Sequence, residues 1–253
     1  MNIKDADRIR TIENRRNLFK NKNLLFWYRQ LYTSQFSAHG DLDKFVVLEI
    51  GSGTSPLKHF YPTVLTNDVL RLDYLDYSFD CHRIDEVQEI PDGSIDILTM
   101  TNVLHHLKNP LLFLRNASSK LKQGGRLIMT EPYLSLISRC IYQYIHHEYC
   151  SVDISEPVIT DIEGPLTSAN SAIPYLIFFS GRGWERTLKD IYFIDYSNVN
   201  HFTSLSYFLT GGISRQFPIP HIFYKFLFKI DETITKRASS AFSSFFTLEL
   251  RKL

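Results

Sequence analysis

Phe45-Val46-Val47-Leu48-Glu49-Ile50-Gly51-Ser52-Gly53-Thr54-Ser55-Pro56-Leu57 is the stretch whose reading decides the fold. It opens with a continuous apolar run rich in β-branched residues, the pattern of a strand buried on both faces of a parallel sheet. Glu49 interrupts that run one position before its end. Two glycines one residue apart follow, then small hydroxylated residues. Pro56 suits the first turn of a helix, where its missing N–H would have had no partner. The stretch therefore reads as strand, glycine turn and helix N-terminus, the first unit of a doubly wound α/β domain built around a nucleotide-like cofactor.

The residues flanking the glycines narrow the cofactor. A dinucleotide loop needs a third glycine and places a pyrophosphate on the helix N-terminus. Here the third position is Ser55, and Glu49 would repel a pyrophosphate. A carboxylate beside a glycine turn instead suits a ligand with a cationic end and hydroxyl groups, such as S-adenosylmethionine. The glycines let the main chain approach that ligand closely.

Further strand signals follow in order. Residues 63–66 form a second short strand ending at Asn67-Asp68, where a carboxylate can grip ribose hydroxyls. Cys81-His82-Arg83-Ile84-Asp85 reads as a third strand ending in an acid. Residues 95–102 read as a fourth, followed by Val103-Leu104-His105-His106-Leu107. A helix is expected from Asn109-Pro110 to Leu121, stopped by Gly124-Gly125. Arg126–Thr130 reads as a fifth strand, running into Glu131-Pro132-Tyr133. Strands alternating with helices imply right-handed parallel crossovers and a three-layer sandwich.

The series EIGSGTS, TND, RID, PDGSIDILTMTNVLHHLKNP and LKQGGRLIMTEPY, over about residues 45–133, resembles the class I S-adenosylmethionine-dependent methyltransferases. The resemblance implies a Rossmann-like, mostly parallel seven-stranded sheet with an antiparallel last strand, here the alternating stretch Phe245–Lys252. It implies a cofactor loop made by Glu49, Gly51, Ser52 and Gly53, a ribose contact at Asp68, Asp85 near the adenine amino group, and Asn102 lining the cofactor pocket. The chain departs from the usual family pattern at Ser55. EPY, HHEY and a late TGG together resemble bacterial methyltransferases of surface-polysaccharide biosynthesis, which implies a sugar, glycan or other small-molecule hydroxyl as acceptor.

The remaining chain divides into an N-terminal helical segment (1–44) and cap or lid insertions at about 134–172 and 202–241, the latter long for a hairpin connection. A hydroxyl is a poor nucleophile and needs a positioned base for O-methylation. His105, His106, His146, His147 and Glu148 are the candidates, with Glu131 as an orienter. The His146-His147-Glu148 run is not read as a metal site, because adjacent side chains diverge on a helix and the i, i+4 zinc spacing is absent. The aromatic run from Pro218 to Lys229, with Lys225 and Lys229 a turn apart, reads either as a cap helix or as an interfacial segment meeting a lipid-linked substrate. A non-catalytic cofactor-binding partner subunit is the competing reading of the whole chain.

Composition sets the outer bounds. The 253 residues carry a net charge of +1, and no Asn/Asp-Pro-Pro-aromatic motif follows the fourth strand, so nucleic acid is disfavoured as a partner. An N-terminal basic excess (Lys4, Arg8, Arg10, Arg15, Arg16, Lys20, Lys22 and Arg29) reads first as a solvated helix face, and otherwise as contact with an anionic substrate or membrane surface. Cys81, Cys140 and Cys150 show neither zinc spacing nor a disulfide framework. Without a signal-type or spanning apolar run, the expectation is a soluble cytoplasmic protein, with peripheral contact on the inner face of the membrane through the aromatic insert as the sharper alternative.

Overall fold

Asn21 divides the N-terminal helical stretch in two. In the computed structural model, which describes residues 3–144, 148–160, 164, 168–203, 205–213 and 215–253, α1 (Ile3–Lys20) and α2 (Lys22–Gln35) meet at this residue. Its side chain accepts a hydrogen bond from Leu24 N at 3.1 Å and so caps α2. β1 (Val47–Ile50) runs into Gly51, which takes φ +73°, and α3 (Leu57–Phe60) follows Pro56. The first half continues through β2 (Leu65–Asp68), β3 (Tyr77–Ser78), β4 (Ile95–Thr101), α4 (Pro110–Ala117) and β5 (Leu121–Pro132). The second half holds α5 (Leu136–Tyr144), α6 (Ile173–Phe178), β6 (Tyr192–Ile194), β7 (Asn200–Phe202), α7 (Leu205–Thr210), α8 (His221–Arg237), α9 (Ser239–Phe242) and β8 (Phe245–Lys252).

These strands form one sheet in the order β3-β2-β1-β4-β5-β8-β6, with β7 also paired to β8. β8 pairs antiparallel with its three neighbours, and every other pairing is parallel. The expected seven positions across the sheet are present. The last is split, because β6 pairs Leu250–Lys252 and β7 pairs Phe245–Thr247 along the same edge of β8. Leu65, Leu48, Leu98, Leu127 and Leu250 stand side by side in register across five strands.

Alternation along the strands separates two cores. Leu48, Leu98, Leu127 and Leu250 face a cluster that includes Phe113 and Leu114 of α4 and Ile173 and Ile177 of α6. Val47, Ile97 and Ile128 face the other way, against Trp27 and Leu31 of α2 and Tyr224 and Phe228 of α8. This is the expected three-layer sandwich, and the N-terminal helices supply part of one layer.

Three local expectations are corrected. Residues Cys81–Glu86 form a 3-10 turn, and the third strand is the two-residue β3 upstream of it. Asp80 starts the turn by accepting a hydrogen bond from His82 N at 2.9 Å, and only Cys81 and Ile84, three apart, are buried. α4 ends at Ala117 because Ser118 and Ser119 turn their hydroxyls back onto Arg115 and Asn116 carbonyls. Gly124-Gly125 therefore does not stop that helix. It sits in an irregularity within β5, where Ile95 pairs Leu121 but Ile97 pairs Arg126.

Candidate active site

The order of the strands reverses between β1 and β4, and ligands of open α/β sheets bind beyond the carboxyl ends of the strands at such a point. A cavity of about 750 Å³ opens there. Gly51, Gly53, Asp68, Asn102, His105, His106 and Glu148 all line it. The positive φ of Gly51 brings the turn against β4's exit, and a Cβ there would come 2.3 Å from Val103 Cγ2. A Cβ on Gly53 would come 2.8 Å from both Asp68 Oδ2 and Thr11 Cγ2.

Asp68 binds the turn directly, accepting hydrogen bonds from Gly53 N (3.0 Å) and Leu70 N (2.9 Å). Each oxygen keeps a further lone pair for a hydroxyl donor. Burial raises the Asp68 carboxyl above its ordinary value, against those backbone donors. Ser52 and Glu49 stand behind the wall. Ser52 staples the ends of β1 and β2, exchanging hydrogen bonds with Asn67 and donating to Glu49 O. Glu49 is fully buried and reaches the wall through Ser55, whose Oγ donates to Oε1 at 2.5 Å. Desolvation pushes the Glu49 carboxyl up to about 7, although Ser55, Ser52 and Arg15 pull it down.

Asp85 is exposed on the 3-10 turn, outside the cavity. Asp80 and Cys81 form the wall at that corner instead. The acid that marks the site follows a strand too short to show a period, so only its capping of His82 N distinguishes it. Asn102 is the one non-glycine residue with positive φ (+56°) among the described residues. Thr11, from α1, lines the cavity as well, and nothing in the sequence around it signals that role.

The histidine pair is held by a polar cluster. Glu131 Oε1 accepts hydrogen bonds from Val103 N and Leu104 N, both 2.7 Å, while Oε2 lies 2.7 Å from His105 Nδ1. His105 Nε2 is 3.4 Å from Glu148 Oε2. Burial would lower the His105 value, but Glu131 and Glu148 override it and hold it up at about 10. His105 is therefore a cation bridging two carboxylates. His106 Nδ1 is 3.0 Å from the Ser168 carbonyl, which can only accept, so that nitrogen carries the proton and Nε2 is an acceptor. Burial and the neighbouring His105 charge pull the His106 value down to about 4. His146 and His147 lie outside the described residues.

His105, His106 and Glu148 approach within 4.8 Å of one another, as metal ligands do. His105 is already engaged by Glu131 through Nδ1 and by Glu148 through Nε2, so both of its ring nitrogens have a protein partner. The cavity's chemistry does fit a cationic, hydroxyl-bearing nucleoside. Glu49 Oε2 and Asn102 Oδ1 are buried with no hydrogen-bond partner among the described residues, as is Thr11 Oγ1.

A model of the methyltransferase domain family matches residues 28–206. The curated protein Methyltransferase AacuQ of Aspergillus aculeatus is 28% identical over 114 residues, which is 40% of this chain and 34% of that one. The matched part thus spans about a third of that relative's length. Similar solved structures include an S-adenosylmethionine-dependent methyltransferase from Archaeoglobus fulgidus, at 13% identity, 88% of this chain, 94% of that chain and TM-score 0.46. Another is the N-methyltransferase NodS of Bradyrhizobium japonicum in complex with S-adenosylhomocysteine, at 11% identity, 93% and 90% coverage and TM-score 0.45. With its glycine turn, switch-point cavity and matched span in agreement, the chain belongs to the methyltransferase domain family.

Proposed function

We propose that the chain is an S-adenosylmethionine-dependent O-methyltransferase acting on a hydroxyl of a small molecule, sugar or glycan. The observation that carries this reading is the shared cavity, which places an accepting imidazole nitrogen, His106 Nε2, in the same enclosure as the glycine turn and Asp68. In this assignment Gly51 and Gly53 give the ligand close access to the main chain, Asp68 takes the ribose hydroxyls, and Asp80 takes the place expected of Asp85 beside the base. Glu49 supplies the counter-charge for the cationic end.

When bound, the cofactor would supply an electrophilic methyl on a sulfonium whose S–CH3 bonding pair returns to sulfur, leaving a neutral thioether as the O–CH3 bond forms. The protein's residues align the acceptor and dispose of its proton. The acceptor O–H donates to His106 Nε2, and that nitrogen takes the proton as the O–CH3 bond forms. Glu148, whose Oε1 is 3.8 Å from Nε2, stabilises the imidazolium so produced. Glu131 and His105 do not touch the acceptor in this scheme. They fix the Leu104–His106 turn and hold Glu148 in place.

Isothermal titration tests the cofactor reading. Wild-type protein should bind S-adenosylmethionine, and the Gly51→Arg variant should not, because its side chain meets Val103. Absence of binding at high micromolar ligand would sink the assignment. His106→Ala should bind the cofactor normally yet lose about 100- to 10,000-fold in kcat, the usual worth of general base catalysis. Normal binding by the wild type with no transfer to any hydroxyl acceptor would favour a regulatory, non-catalytic subunit.

A further inference from the structure

α8 has two apolar faces, and the fold uses only one of them. Tyr224, Phe228, Asp231 and Thr235 are buried, spanning an arc of about 60° at 3.6 residues per turn. Ile222, Phe223, Phe226, Ile230 and Ile234 occupy a separate arc of about 120° on the solvent side. The first turns of the stripe are the most exposed: Ile222 is 74%, Phe223 63% and Phe226 64% accessible, against 42% for Ile230 and 37% for Ile234. Exposed Phe217 extends the patch into the preceding loop. Lys225, Lys229 and Lys236 line one edge of the stripe and Arg237 closes its end, all exposed. Glu232, the one acid beside them, is paired with Lys229 and Lys236.

We propose that this face of α8 seats on an anionic membrane surface, and that the acceptor is a hydroxyl-bearing amphiphile presented there. Aromatic and aliphatic side chains flanked by lysines are the composition of a helix that lies in the interfacial plane. The basic edge complements anionic headgroups. No helix among the described residues is long and apolar enough to cross a membrane, so the contact is peripheral. The link to the acceptor is structural and rests on the methyltransferase reading above. Asp231 Oδ2 accepts a hydrogen bond from Ser206 N (2.7 Å) and Tyr224 Oη donates to Ser206 O (3.1 Å), so α7 is bonded directly to α8. Tyr207 and Phe208 of α7, with Ile213 just beyond its end, line the active-site cavity. The exposed stripe and an apolar wall of the acceptor site therefore belong to the same cap, which suits an acceptor with an apolar tail.

Co-sedimentation of the full chain with vesicles tests this. Phosphatidylcholine vesicles containing phosphatidylglycerol should bind the protein on the order of tenfold or more tightly than phosphatidylcholine alone, given several lysines at the surface. Phe223→Ser with Phe226→Ser should abolish sedimentation, and Lys225→Glu with Lys229→Glu should remove the preference for anionic lipid. Both variants alter exposed residues away from the cavity, so cofactor titration should match wild type; the lysine variant gives up only the surface Lys229–Glu232 pair and the Lys225 contact over Phe26, so its melting temperature should fall little. Wild type remaining in the supernatant with both vesicle types overturns the proposal. So does a concentration-dependent dimer, abolished by the Phe223/Phe226 variant, in a protein that ignores vesicles. Cofactor titration needs no vesicle, so a chain that binds S-adenosylmethionine but not lipid refutes the docking alone, and the converse refutes the transferase reading alone.

Discussion

Glu49 is a carboxylate held where water cannot solvate it, and its protonation is coupled to folding. Arg15 faces it from α1, Asp68 from β2, and Tyr28 and Tyr32 from α2. Its folded value of about 7 exceeds its ordinary 4.5, so the unfolded chain releases the proton first. Stability from this group is thus greatest below 4.5 and declines as pH rises to about 7, by about 3 kcal/mol in all. Glu49→Gln removes that slope. The variant should melt higher than wild type at pH values above about 7 without ligand, while binding S-adenosylmethionine at least tenfold more weakly for want of the counter-charge. For wild type, affinity for the cationic cofactor should rise with pH through the same range. Differential scanning fluorimetry and calorimetric titration across that range check both, and a variant that melts lower at high pH sinks the account. Glu49 and the glycines were legible because strand, turn and proline sit in one short stretch. The contrasting surroundings of His105 and His106 were not. They depend on Glu131 and on Ser168, 62 residues from His106, and no local pattern encodes either contact.

At the scale of elements, a polar stitch fixes α2 over the sheet. Gln35, 4% exposed, donates to Thr99 Oγ1 on β4 (2.7 Å) and accepts from Thr130 Oγ1 on β5 (3.0 Å). Thr130 Oγ1 is also 2.8 Å from Thr247 Oγ1, so the stitch reaches β8. Gln35→Ala removes the anchor and leaves buried hydroxyls short of partners, at a cost of about 1–3 kcal/mol. Chemical denaturation should show a lower midpoint at unchanged slope. A loss under half a kcal/mol, with cofactor binding intact, would mean that the threonines satisfy one another without α2. β1, β4 and the later half of β5 could be read from sequence because they are mostly buried on both faces and so show as apolar runs. β3 has two residues and β7 three, too few for any period to appear. The sequence pattern consequently singles out Asp85, whereas in the structure Asp80 is the acid of that region that lines the cavity. The 3-10 turn that carries Asp85 away from the cavity depends on a cap, a signal weaker than the apolar–acid pattern that suggested a strand.

For the whole molecule, the N-terminal helices contribute unequally. The sequence set residues 1–44 apart from the domain, since their basic residues obscure the apolar ones. α2 is instead part of the core. Leu24, Trp27, Leu31 and Tyr32 are fully buried against residues from the sheet and from α8. Burial of large apolar side chains at about 1.5–3 kcal/mol each makes these four worth much of the roughly 5–15 kcal/mol that holds a domain together. α1 has far fewer anchors. Its buried residues include Leu18, Asp7 and Thr11, and it is tied to the site by Arg15 Nη1 donating to Ser55 O (2.5 Å) and by Arg8 Nε donating to Arg71 O (3.0 Å). Thr11 packs on Gly53, so α1 closes the cavity over the glycine turn. Removing residues 1–36 should therefore yield a chain without a cooperative melt, whereas removing residues 1–16 should leave a cooperatively folded protein that binds S-adenosylmethionine at least tenfold more weakly. Circular dichroism melting with calorimetric titration separates the two effects. Unchanged affinity in the shorter truncation would show that α1 is packing on the site without closing it, and a cooperative melt in the longer one would return α2 to the status of an appendage.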